Sequence, residues 1–147
     1  MGGPSQSPRC AGHEGWLRPV LMAKLLDTDL LIDYLRGYPE AVSFVEANVA
    51  EACVSAINIA ELYQGVRNGE EQTRLEKMIS AMTSLPITSE IAERGGLFSR
   101  DFRPSHGCGL ADCLVAATAD LHGLILATLN EKHFPMLHDL ETPYRKS

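Results

Sequence analysis

At 147 residues the chain has room for one domain and not for two ordinary ones. With 45% hydrophobic and 22% charged residues it has a globular composition, and no apolar run approaches the roughly 18–20 residues that a membrane helix needs. A formal net charge of −6 excludes broad adhesion to nucleic acid, which takes clustered Lys and Arg, but leaves open a hydrolytic site built from carboxylates.

Residues 1–21 (MGGPSQSPRCAGHEGWLRPVL) follow no helical or strand period and lack the apolar stretch of a signal peptide. They read as a poorly ordered extension or tag remnant, with one folded domain over 22–147. Ala23–Asp27 is a short apolar run, a buried strand. Thr28–Arg36 switches to helical spacing and stops at Gly37, and Pro39 opens a second helix through Asn48. Ala52–Ser55 is a second strand, and Ser55 caps a helix over Ala56–Arg67 that ends at Asn68-Gly69. A helix over Glu70–Thr83, a strand over Leu85–Ile87 and a helix from Thr88-Ser89 to about Arg100 follow. Pro104–Gly109 reads as a loop, Leu110–His122 as a strongly apolar helix and Leu124–Thr128 as a fourth strand. Asn130–Ser147 holds a short helix and an extended piece.

Strands alternating with helices predict an α/β fold, a three-layer α/β/α sandwich around a mainly parallel sheet. Such sheets bind ligands beyond the carboxyl ends of their strands. Asp27 ends the first strand and Asn130 lies just past the fourth, so both reach one edge. Asp112 heads the stripe Asp112, Val115, Ala116, Ala119 of a helix apolar nearly all round, where a carboxylate is costly unless paired or bound to a cation. Glu61 sits within NIAELYQGV, beside Gly65, which leaves space for another backbone or a ligand. Each has an ordinary alternative: a helix cap for Asp27, first-turn placement for Asp112, plain exposure for Glu61. Together they form an acidic cluster whose mutual repulsion a divalent cation resolves. Oxygen-only ligands select Mg²⁺ or Mn²⁺ over zinc, and phosphodiester hydrolysis is the chemistry such an ion serves.

The segments LLDTDLLIDYL, SAINIAELYQGV, GLADCLVAATA and LATLNEKHF resemble, in order and spacing, the motifs of PIN-domain proteins of the VapC toxin type, over Met22–Leu140. The resemblance implies a Mg²⁺- or Mn²⁺-dependent endoribonuclease, a homodimer, and a cognate antitoxin that blocks the site. It makes Asp27, Glu61 and Asp112 the acids and metal ligands, with Asn130 at the fourth position and Thr28 and Thr128 as hydroxyls flanking the site, on the substrate side. Asp29, where the family more often has Asn or a small polar residue, reads as a helix cap. Arg36, Arg67, Arg100, Arg103 and Lys132 are candidate phosphate contacts, Arg100 and Lys132 foremost. His133 reads as solvent-facing or structural and Phe134 as a core anchor. The surplus apolar residues of Thr28–Arg36 and Pro39–Asn48 suggest an exposed groove for an antitoxin segment.

Cys10, Cys53, Cys108 and Cys113 form no C-x-x-C pair, and His106, Cys108 and Cys113 are too few for a zinc site. The absence of a paired framework points to a reducing, cytoplasmic setting. Two other readings compete. LLDTD resembles the nucleophile motif of haloacid-dehalogenase-like phosphatases, but Leu30-Leu31 stand where that motif has Gly-Thr. A PIN scaffold that binds a partner without cleaving is the other.

Overall fold

A computed structural model describes residues 23–146, and the expected N-terminal extension lies outside them. Five strands form one parallel sheet in the order β3-β2-β1-β4-β5. They are β1 (Lys24–Leu26), β2 (Ala52–Ser55), β3 (Thr83–Leu85), β4 (Ile125–Ala127) and β5 (Leu140–Glu141). Six helices connect them: α1 (Thr28–Leu35), α2 (Pro39–Asn48), α3 (Ala56–Gly65), α4 (Glu70–Ser80), α5 (Ser89–His106) and α6 (Leu110–His122).

Both faces of the sheet are covered, because successive strand side chains point to opposite faces and both sets are apolar. Leu26, Val54 and Ala127 join one core with Leu30, Leu31, Val45, Leu62 and Leu75 of the helices. Leu25, Cys53 and Leu126 join the other with Val115, Ala116, Ala119 and Phe134. This is the expected three-layer sandwich, with Phe134 fully buried as its anchor.

The chain runs outward from β1 through β2 to β3, then returns to place β4 on the other side of β1. The strand order therefore reverses between β1 and β4, and a crevice opens beyond their carboxyl ends. Leu26 lies beside Ala127 in the register, so Asp27 and Thr128 emerge side by side.

Several boundaries differ from expectation, most of them by a residue, and α4 ends at Ser80 rather than Thr83. The third strand is Thr83–Leu85, because Pro86 cannot donate to a ladder and closes it. Helix α5 passes through Pro104 to His106 and ends only at left-handed Gly107, whose N–H bonds Arg103. Pro104 deletes a single helical bond at an exposed end, where water can serve the freed carbonyl. Helix α3 stops at Gly65, where an added Cβ would meet nothing within 4 Å, so no backbone approaches there. The close approach occurs instead at Gly95, where a Cβ would fall 2.7 Å from Leu114 Cδ2 and 3.2 Å from Leu114 Cα. That contact seats α5 directly against α6.

Candidate active site

Asp27 follows β1 in extended conformation and starts α1. Its Oδ1 accepts from Thr28 N at 2.9 Å and its Oδ2 from Thr128 Oγ1 at 2.8 Å. Asp27 is therefore the cap of α1. Asp29, expected in that role, is exposed in the first turn instead. Only 8% of Asp27 is exposed. Burial pushes its carboxyl up to about 6, against the help of the Thr128 and Thr28 hydrogen bonds and with further push from the charges of Asp112 and Asp29.

Glu61, half-buried on α3, accepts from Thr28 Oγ1 at 2.7 Å. Asn58, one turn earlier on the same face, donates Nδ2 to that hydroxyl at 2.8 Å. Asn58 is fully buried, and among the described residues its Oδ1 is the buried side-chain polar atom left without a partner. Asp112 enters from the first turn of α6. Burial raises its pKa most, the nearby charge of His133 opposes this, and the charges of Glu61 and Asp29 add to it. His133 Nδ1 stands 3.5 Å from Asp112 Oδ2, too far for a good hydrogen bond but close enough for attraction. Asn130 lies half-buried beyond β4, and its backbone N–H donates to Thr128 Oγ1 at 3.0 Å.

The β1–β4 crevice thus joins Asp27, Thr128 and Asn130 in one hydrogen-bonded chain and Glu61, Thr28 and Asn58 in another. Asp112 couples to both chains by charge alone. Among the described residues no three His, Cys, Asp or Glu side chains stand at ligand spacing. Each acid instead has its own neighbour: Thr128 for Asp27, Thr28 for Glu61, and for Asp112 the His133 imidazole, which attracts it when protonated. As donors, these are oxygens only, carrying unmet negative charge in a partly dry crevice. That chemistry fits a hard divalent cation and not zinc.

Residues 24–136 match the PIN domain. The chain belongs to the PIN-domain family. This PIN domain is 38% identical over 123 residues to Ribonuclease VapC10 of Mycobacterium tuberculosis, covering 82% of this chain and 92% of that one. It is 40% identical over 125 residues to Ribonuclease VapC19 of the same organism, covering 82% and 99%. Its fold superposes on a chain from a toxin–antitoxin complex of Klebsiella pneumoniae with a TM-score of 0.73 at 31% identity, covering 84% of this chain and 99% of that chain.

Around the acids, this PIN domain places the remaining candidates unevenly. Lys132 is exposed in the 3₁₀ turn Glu131–His133 that follows Asn130. Arg100 and Arg67 are tied to their own helical neighbourhoods, Arg100 to Asp101 at 2.8 Å and Arg67 to Glu71 at 3.0 Å. Arg36 and Arg103 are exposed. Cys108 and Cys113 are buried free thiols at the positions just before and one turn into α6. They pack there as a hydrophobic staple does, while His106 turns away to Ser105 and the ring of Phe102.

Asp33 gave no signal in the sequence. It is buried on α1, and it accepts from Tyr144 Oη at 2.7 Å and Lys146 Nζ at 2.9 Å. These bonds outweigh the burial penalty and hold its carboxyl below the usual range. They strap the C-terminal tail to α1 near the end of the helix opposite its Asp27 cap.

Proposed function

We propose that this protein is a Mg²⁺- or Mn²⁺-dependent endoribonuclease and the toxin of a toxin–antitoxin pair. The observation that carries the reading is Asp27. Its carboxyl is buried at the switch point of a parallel sheet, pushed up to about 6, and coupled by charge to Asp112 in a chain related to named ribonucleases. A group in that state is stabilised by a cation more than by anything else the crevice offers.

Asp27, Glu61 and Asp112 would hold the cation. When bound, it supplies a more acidic water and offsets negative charge on the phosphodiester. Thr128 and Thr28 donate to the Asp27 and Glu61 carboxylates and so fix their orientation. The Asn130 amide carries no charge, and its role is with water or substrate. Lys132, exposed two residues beyond Asn130, suits an incoming phosphate, as does Arg100 once it leaves Asp101. The RNA arrives against a net charge of −6, so local cations must do the steering.

The partner we propose is an antitoxin segment carrying Arg, whose charge complements the acidic crevice. A cleft of about 460 Å³ beside α2, walled by Pro39, Phe44 and Pro143 and by the polar Glu40, Ser43 and Asn48, offers a partly apolar seat. The relative in the Klebsiella pneumoniae complex supports this partner class. A homodimer and a cytoplasmic location complete the proposal. No helix among the described residues is long and apolar enough to cross a membrane.

The test is cleavage of end-labelled transfer, ribosomal and messenger RNA by the purified protein with Mg²⁺ or Mn²⁺. Internal cuts that EDTA stops, and that vanish in Glu61→Gln, are expected. Binding without cleavage of any RNA class would replace this reading with that of a non-catalytic PIN scaffold.

A further inference from the structure

Two hydroxyls at the acid edge are wired alike. Asn58 Nδ2 donates to Thr28 Oγ1 at 2.8 Å, and Thr28 Oγ1 donates to Glu61 Oε1 at 2.7 Å. Asn130 N donates to Thr128 Oγ1 at 3.0 Å, and Thr128 Oγ1 donates to Asp27 Oδ2 at 2.8 Å. A hydroxyl has one proton and two lone pairs. In both chains an N–H behind the oxygen fills a lone pair and a carboxylate in front takes the proton. Rotating either hydroxyl would point its proton away from the acid and its filled lone pair away from the donor.

The orientation of Asn58 follows from the same count. Were Oδ1 facing Thr28, two acceptors would compete for a single proton; with Nδ2 facing it, both bonds are made. The fully buried Oδ1 then has no partner, a cost that leucine, of similar shape, would not carry. The amide is useful here only through its donor.

We infer that Asn58 is a positioning residue that aims Glu61 through the Thr28 hydroxyl, and that Thr28 and Thr128 serve the carboxylates rather than the RNA. The inference rests on the reading of this edge as a metal-dependent nuclease centre. It corrects the expectation that the two threonines bind substrate, since neither has a proton left for a phosphate oxygen. It also gives Asn130 two separable parts: a backbone N–H that any residue but proline supplies to the Thr128 chain, and a side chain free for other work.

The test uses the full chain with Asn58→Leu, Thr28→Val, Thr28→Ser, Glu61→Gln and the double variant Asn58→Leu/Glu61→Gln. Three quantities are measured: Mn²⁺ affinity by calorimetric titration, metal-free melting temperature, and kcat and KM for RNA cleavage. Asn58→Leu and Thr28→Val are each expected to weaken Mn²⁺ binding about 10-fold and to lower kcat with KM unchanged, as loss of a group that orients a metal ligand does. Asn58→Leu keeps or raises the metal-free melting temperature, because the orphaned carbonyl is gone. Thr28→Ser restores wild-type values, and adding Asn58→Leu to Glu61→Gln changes nothing further.

Wild-type Mn²⁺ affinity and kcat in Asn58→Leu, a further loss in the double variant, or a rise in KM alone for Thr28→Val would overturn the inference. Loss of metal binding in Glu61→Gln alongside any of those results would leave the nuclease reading standing without the relay. Wild-type Mn²⁺ affinity and cleavage in Glu61→Gln would end both. If Asn58→Leu does not fold, the Thr28→Val and Thr28→Ser pair decides by the same readouts.

Discussion

Replacing Asp27 with Asn should make the metal-free protein more stable at neutral pH. The carboxyl is raised from 3.8 to about 6, so between those values the folded state holds a proton that the unfolded chain has released. Stability from this group is complete below pH 3.8 and is lost as pH rises through 6. The shift corresponds to about 3 kcal/mol at pH 8, from about 1.4 kcal/mol per unit. Asn keeps the volume and removes the charge. It can still accept one of the two hydrogen bonds that Asp27 receives, and losing the other returns about 1 kcal/mol. The net gain at pH 8 is about 2 kcal/mol, or roughly 6 °C in melting temperature for a domain of this size. Urea melts of both proteins in EDTA from pH 4 to pH 8 measure it. The difference between variant and wild type should grow by about 2.4 kcal/mol across that range in favour of the variant, since at pH 4 the unfolded carboxyl is already partly ionised. Parallel pH profiles would refute the argument, since they would mean that Asp27 is not desolvated in the folded state.

Other outcomes follow from packing and charge. Gly95→Ala should destabilise the fold by about 1 kcal/mol in a urea melt: the helical preference for Ala is outweighed by backbone contacts of its Cβ at 3.2 Å to Leu114 Cα and 3.3 Å to Cys113 O. Tyr144→Phe removes one of two donors to buried Asp33 and should cost about 1–2 kcal/mol at pH 7, read the same way, with RNA cleavage unaffected because the strap holds α1 near the end opposite its Asp27 cap. Asn130→Ala should reduce cleavage less than Asp112→Asn in a parallel kinetic assay, because the amide supplies no charge and the backbone N–H that serves Thr128 survives.

The architecture was legible because period and punctuation agreed. Leu25-Leu26 followed by a helical spacing, and Ser55 ahead of NIAELYQG, mark strand-to-helix passages that the structure keeps. The convergence of Asp27 and Asn130 on one edge followed from the parallel sheet alone. The third strand was misplaced because the apolar pair Pro86-Ile87 outweighed the rule that proline ends a ladder. The end of α5 was misplaced for the opposite reason: Pro104 was read as a stop where one exposed helical bond could be spared. Asn58 left a faint trace, a poor helix former one turn before Glu61 on the same face. Its burial and its bond to Thr28 depend on α3 packing beside α1, which no local pattern reports. Asp33 was invisible for the same reason, since Tyr144 and Lys146 lie more than 100 residues away in the chain.

The central claim is that Asp27, Glu61 and Asp112 form a cation site, and thermal melting with and without Mn²⁺ tests it most directly. A cation that binds the folded state and hardly the unfolded chain stabilises by about 2.7 kcal/mol at 100 times its dissociation constant. Wild type should show that shift, and Asp112→Asn should lose it together with RNA cleavage while melting, metal-free, no lower than wild type. Full cleavage and an undiminished Mn²⁺ shift in Asp112→Asn would contradict the account and place the cation, if any, elsewhere.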